Sequence, residues 1–136
     1  MQIGKDYIGV GCWALVTNDK NQILFIKKKN RDFWERPGGK VELGELLEDA
    51  MVRETKEETN LITKPTGLSW YDQIFYGKDK EHWIGFCYHL SHESGEIKNL
   101  EPDKIEAVKW FDFSDLPKVS EHTEKAIKKY KNSARL

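Results

Sequence analysis

The chain is 136 residues long, the usual size of one domain and too short for two ordinary ones. Charged residues make up 33% of it, yet they cancel to a net charge of −1. With no long-range positive field, a general binder of nucleic-acid polymer or of membrane surface is excluded, and any phosphate chemistry must come from a local arrangement.

Residues 7–17 (YIGVGCWALVT) form a nearly unbroken apolar run, expected as a strand buried on both faces. Asn18 to Asn21 read as a turn, and residues 22–28 (QILFIKK) return as a second strand. A basic, irregular stretch follows, ending in Trp34-Glu35-Arg36-Pro37-Gly38-Gly39. Its Pro and paired Gly are expected to stop regular structure and to let the backbone approach something closely. Residues 45–59 are rich in helix formers and lack Gly and Pro, so they predict a helix, with Asn60 as its left-handed closing residue. Residues 67–76 and 82–92 read as strands joined at Gly77-Lys78-Asp79-Lys80, and residues 105–111 as a further strand. A last amphipathic helix is expected over residues 120–131, with Thr123, Ala126, Ile127 and Tyr130 on one side. Strands, a central helix, more strands and a closing helix predict a mixed α+β sandwich forming a single domain over residues 1–136.

Cys12 and Cys87 each lie inside an apolar run and form no CxxC pair. They are expected as reduced, packed thiols, not as part of a zinc site or a disulfide framework. No signal-peptide core and no membrane-length apolar stretch is present, so a cytoplasmic location without membrane contact is expected.

On the first helix, Leu46, Leu47, Ala50 and Met51 cluster on one face at about 100° per residue. Toward the C-terminus the same face meets Glu54, Glu57 and Glu58, while Lys56, Thr59, Glu48, Asp49 and Val52 fall on the other side. Two explanations compete. The helix end could simply emerge into water, with Arg53 and Lys56 softening the repulsion. Alternatively, the glutamates hold a cation that offsets negative charge placed against the helix dipole. Oxygen ligands converging without His or Cys select Mg²⁺, with Mn²⁺ as the alternative, and point to metal-assisted chemistry on a phosphate.

Gly39, five residues, Glu45, seven residues, then Arg53-Glu54-Thr55-Lys56-Glu57-Glu58-Thr59-Asn60-Leu61 resembles the Nudix box, GX5EX7REUXEEXGU, where U is bulky and aliphatic. The preceding residues 34–42 (WERPGGKVE) resemble the loop that leads into the box in MutT-like members. Two positions depart from the pattern: Thr55 replaces the aliphatic residue and Asn60 replaces glycine. Thr55 is expected on the outer side of the helix, and neither change touches a carboxylate. The resemblance implies a Nudix-type α/β/α sandwich with a mixed β-sheet.

By the same resemblance, Glu54, Glu57, Glu58 and the carbonyl of Gly39 would be metal ligands, Arg53 would orient the carboxylates, and Glu54 would also deprotonate the attacking water. Glu45 would support the loop–helix junction. A further catalytic glutamate from a later loop would be Glu106 first and Glu101 second. Lys28 aligns best with a basic residue placed on the substrate phosphates, and Trp34 is a candidate for stacking on a base, though aromatics there are more often core. Arg36, where related loops often carry an apolar residue, is expected to have a specific partner, either a substrate phosphate or a box carboxylate.

The activity implied is Mg²⁺-dependent hydrolysis of a nucleoside diphosphate linked to another moiety, first a modified nucleoside triphosphate cut to monophosphate and pyrophosphate. ADP-ribose or another nucleotide sugar is the second substrate class, and a non-catalytic nucleotide-sensing module the third reading. The partner is therefore a nucleotide small molecule, and monomer and homodimer both stay open.

Overall fold

Alternation along the first strand sorts the apolar residues into two layers. The computed structural model describes residues 1–76, 78 and 80–133. Its elements are β1 (Gly9–Thr17), β2 (Gln22–Lys28), β3 (Gly38–Gly39), α1 (Leu47–Thr59), β4 (Ile62–Tyr76), β5 (Glu81–Ser94), β6 (Ile105–Asp112) and α2 (Glu121–Ser133). Cys12, Ala14 and Val16 point to one face and pack with Leu24, Leu90 and the α1 residues Ala50 and Met51. Leu15 points to the other face and packs with Ile23, Phe25, Cys87 and the α2 residues Ala126 and Ile127. The period of two in the strand thus places one helix on each face of the sheet. The result is the expected α/β/α sandwich, with strand order β4-β5-β1-β2-β6 and β3 paired to β1. The sheet is mixed: β1 and β5 run parallel, and the other pairs are antiparallel.

The site depends on a split in this sheet. β1 and β2 pair at Thr17↔Ile23 beside their turn and then diverge. Residues 35–39 fill the gap. Glu35 exchanges two backbone hydrogen bonds with Ile26, each 2.8 Å, and the Pro37 carbonyl accepts from Ala14 N–H at 2.8 Å. Gly38 and Gly39 then pair with Trp13 and Cys12. The Pro-Gly-Gly run therefore forms a short strand and does not break regular structure as expected. Proline offers its carbonyl to β1 without needing a donor, and a Cβ on Gly38 would come within 2.6 Å of the Cys12 carbonyl oxygen.

Other boundaries moved for similar local reasons. β1 is buried on both faces through its second half, but Val10 is 52% exposed, because it lies at the open end of the sheet in the wall of a cleft. β4 starts at Ile62, before the expected residue 67, since register shifts between Pro65 and Ser69 absorb the Pro and Gly that seemed to forbid a strand. Gly77 and Asp79 of the expected β4–β5 turn lie outside the described residues. Among the described residues, no helix is long and apolar enough to cross a membrane.

α1 is turned relative to the face expected from sequence. Leu46, expected on the apolar face, stands just before the helix as its N-cap and is 65% exposed, whereas Thr55 and Thr59 are fully buried. Thr55 on the outer side is thus a wrong expectation. The helix packs against β4, and the Thr59 carbonyl accepts from Lys98 N–H at 2.9 Å, so its second flank is covered too. Asn60 closes the helix with φ of +70°, as expected, and donates its N–H to the Lys56 carbonyl. Its side-chain amide also donates to the Glu96 carbonyl at 3.1 Å, tying the helix end to the segment after β5.

The departure at Thr55 has a measurable cost. Its Oγ1 is buried and makes no hydrogen bond among the described residues. Thr55→Val keeps the shape and removes the stranded hydroxyl, so it should stabilise the fold by about 1 kcal/mol. Chemical denaturation would show a higher midpoint at unchanged slope; a lower midpoint would mean the hydroxyl has a partner.

Candidate active site

The rotation of α1 grades its three glutamates by depth. Glu58 is 5% exposed, Glu54 is half-buried and Glu57 lies in solvent. Glu58 accepts a hydrogen bond from Gly38 N–H at 3.2 Å. Burial pushes its carboxyl up to about 8; the charges of Glu54 and Glu101 add to this, while the Gly38 N–H and Lys28 oppose it. Glu54 rests against Gly39: a Cβ there would stand 2.7 Å from both carboxylate oxygens. Burial also raises the Glu54 carboxyl, against the pull of Arg53. The short β3 is thus the floor on which two box carboxylates sit, one on the N–H of Gly38 and one across the bare α-carbon of Gly39.

Arg53 ties the rest together. Its Nε and Nη2 donate to the two oxygens of Glu45 at 2.8 and 2.9 Å, a bidentate pair. Nη1 stands between Glu54 and Glu57, 3.1 and 3.3 Å from their nearest oxygens, and Nη2 also reaches the Lys40 carbonyl at 3.1 Å. Glu45, which also accepts from Glu42 N–H at 3.0 Å, is held down at about 2, chiefly by the Arg53 hydrogen bond. One guanidinium therefore joins the helix to the loop that precedes it. Among the described residues no three carboxylate, imidazole or thiol groups are already gathered at one point. Glu54 and Glu57 here face Arg53.

The remaining candidates separate. Lys28, Arg36 and Gly39 line a cleft of about 600 Å³ beside this cluster, together with Tyr7 and Trp83 from the open end of the sheet. Trp34 does not: its ring packs edge-on to Phe111 at 4.9 Å in the α2-side core. Glu106 is likewise not brought to the cluster. It pairs with Lys27 at 2.5 Å across the β2–β6 ladder, and that hydrogen bond lowers its carboxyl. Glu101, the second candidate, is the one whose charge acts on Glu54 and Glu58. It sits on the turn where its carbonyl accepts from Lys104 and Ile105. Arg36 does have specific partners, and they are not box carboxylates: it is buried and bonds Thr123 and His122 of α2.

Residues 8–132 match the family model of the NUDIX domain. The chain belongs to the Nudix family. A curated Nudix relative, the ADP-ribose pyrophosphatase of Methanocaldococcus jannaschii, is 40% identical over 116 residues, covering 81% of this chain and 66% of that protein. The putative 8-oxo-dGTP diphosphatase of Bacillus subtilis is 47% identical over 49 residues, 36% of this chain and 33% of its own. This Nudix chain therefore spans two thirds or less of these two relatives. Among solved structures, the MutT Nudix hydrolase from Burkholderia pseudomallei superposes with a TM-score of 0.78 at 32% identity, covering 90% of this chain and 98% of that one.

Proposed function

We propose that the chain hydrolyses a phosphoanhydride bond in a nucleoside diphosphate derivative, with a divalent cation held by Glu54, Glu57, Glu58 and the Gly39 carbonyl. The observation that carries this reading is the buried Glu58 carboxylate, seated on Gly38 N–H beside half-buried Glu54. A carboxylate so placed calls for a cation or a proton. Oxygen-only donors fit a hard cation such as Mg²⁺. When bound, that ion supplies positive charge to the phosphate and acidifies an attacking water.

The chain's own residues account for the other parts. Glu54, whose basicity is raised by burial, accepts the proton of the water. Arg53, anchored by Glu45, holds Glu54 and Glu57 in place and limits their mutual repulsion. Lys28, in the cleft wall and acting on Glu58, meets the negative charge of the diphosphate.

A modified nucleoside triphosphate, cut to monophosphate and pyrophosphate, is the first substrate class. ADP-ribose is the second, favoured by the name of the 40% identical relative. The test is a substrate panel with Mg²⁺ and with EDTA. Pyrophosphate release from a triphosphate supports the first class. Release of two phosphomonoesters from ADP-ribose, read by a coupled phosphatase, supports the second. No turnover of either class with Mg²⁺ or Mn²⁺ would leave a nucleotide-sensing module and overturn the catalytic reading.

A further inference from the structure

The buried polar cluster at the start of α2 has no part in the chemistry above, yet it is built around the same loop. Ser120 caps the helix: its Oγ accepts from Thr123 N–H at 3.3 Å and donates to Thr123 Oγ1 at 2.9 Å. Thr123 Oγ1 donates to Glu35 Oε1 and accepts from Arg36 Nε at 3.2 Å. That fills both the donor and the acceptor capacity of one hydroxyl. Arg36 Nη2 donates to His122 Nδ1 at 2.7 Å, so the imidazole proton lies on Nε2, which faces Glu35 Oε2 at 3.3 Å. Glu35, Arg36 and Thr123 are at most 5% exposed, so the centre of this network is buried, with Ser120 and His122 at its partly exposed edge.

A second contact acts on the same segment. The Arg36 guanidinium lies 5.4 Å over the Trp13 ring, and the His122 ring is 5.2 Å from it. Trp13 in turn lies across three glycines, Gly11, Gly38 and Gly85, where a Cβ at each would stand 2.7 Å from the indole. Gly38 is therefore clamped from one side by Trp13 and from its N-terminal side by the anchored Glu35-Arg36 pair. Two residues after that pair, the Gly38 N–H holds Glu58, and Gly39 supports Glu54.

We propose that Thr123 is a positioning residue for the site: through Glu35 and Arg36 it fixes the strand Gly38–Gly39 on which Glu58 and Glu54 rest. α2 is then the back wall of the active site. Displacement of a catalytic group by about 1 Å costs on the order of a hundredfold in rate, so a buried latch two residues from Gly38 has enough leverage. The effect on turnover rests on the hydrolase reading; the effect on the strand itself does not.

The experiment compares Thr123→Val, which keeps the volume and removes the hydroxyl, with Thr123→Ser, which restores it. Turnover in the Val variant should fall roughly 10- to 100-fold with KM changed less than about threefold, and half-maximal activation should need several times more Mg²⁺. The Ser variant should recover most of both. In ¹⁵N spectra of the metal-free protein, the Gly38 and Gly39 amide resonances should shift in the Val variant and return in the Ser variant. If the wild-type protein turns over nothing, those two resonances still decide the positioning claim. If Thr123→Val does not fold, Glu35→Gln, which keeps the shape and weakens the latch, should move the same resonances and the Mg²⁺ requirement. A folded Val variant with wild-type turnover, Mg²⁺ dependence and Gly38 resonance overturns the proposal.

Discussion

Changing Glu58 to Gln should lower turnover by roughly two to four orders of magnitude while leaving the metal-free protein as stable as before near pH 4.5 and more stable as the pH rises toward 8. The two halves of this expectation have one cause. Glu58 is buried beside half-buried Glu54 with Glu101 acting on both, so its ionised form is disfavoured until a cation arrives. Gln keeps the shape and removes the charge, relieving the metal-free chain and removing a ligand from the loaded one. Glu57→Gln should lose activity on the same scale with less change in stability, because Glu57 lies in solvent. Mg²⁺ should raise the wild-type melting temperature, since it binds the native state, and raise that of either variant less. Melting curves with Mg²⁺ and with EDTA, beside a product-release assay, check both halves. If both variants turn over like wild type, the carboxylates are a solvated helix face and the proposed mechanism does not operate.

The sequence made the box legible because its charges recur at fixed offsets, and the fold keeps that local spacing along one helix. It was less informative about depth. Helical periodicity placed Glu54, Glu57 and Glu58 on one face with Leu46, Leu47, Ala50 and Met51, but packing against β4 turns the buried face toward Thr55 and Thr59. Periodicity reports where apolar residues are, and two buried threonines are invisible to it. The resemblance ranks Glu106 before Glu101, and nothing in the local sequence separates the two. The β2–β6 register instead places Glu106 where Lys27 takes it up, whereas Glu101, on the turn before β6, is the one whose charge acts on Glu54 and Glu58. Arg36 was recognised as needing a partner. That partner lay 86 and 87 residues away, on a helix whose approach to the loop follows from the sheet split, and no local pattern encodes such a contact. His122 and Thr123 escape a sequence reading as site-supporting residues for the same reason; the one local hint is Glu35 beside Arg36, where related loops often carry an apolar residue.

In EDTA, the wild-type protein should lose stability as the pH rises from about 4.5 to about 8, opposite to the trend that paired carboxylates produce. The Glu58 carboxyl titrates near 4.5 when exposed and is held at about 8 in the fold, first by burial. Between these values the native state holds a proton that the unfolded chain has released. Stability therefore falls with rising pH across that window and levels off above it. Glu35 has the reverse sign. Burial would raise it, but His122, Thr123 and Arg36 overcome that and hold it at about 2, so its contribution is complete above about 4.5 and is lost as the pH drops toward 2. These two groups make their full contributions together only in mild acid. The alkaline decline should be on the order of a few kcal/mol, since a proton held only by the native state is worth about 1.4 kcal/mol across each pH unit of that window. On the proposed reading Glu58 is a metal ligand and Mg²⁺ competes with that proton for the same oxygens, so its stabilising effect should be larger at pH 8 than at pH 6. Glu58→Gln should remove most of the decline between pH 4.5 and 8, leaving the smaller part due to the also raised Glu54 carboxyl, and leave the acid limb in place. Thermal melts of both proteins across pH 3 to 9 in EDTA would read this directly, and an unchanged alkaline slope in Glu58→Gln would show that the titrating group lies elsewhere.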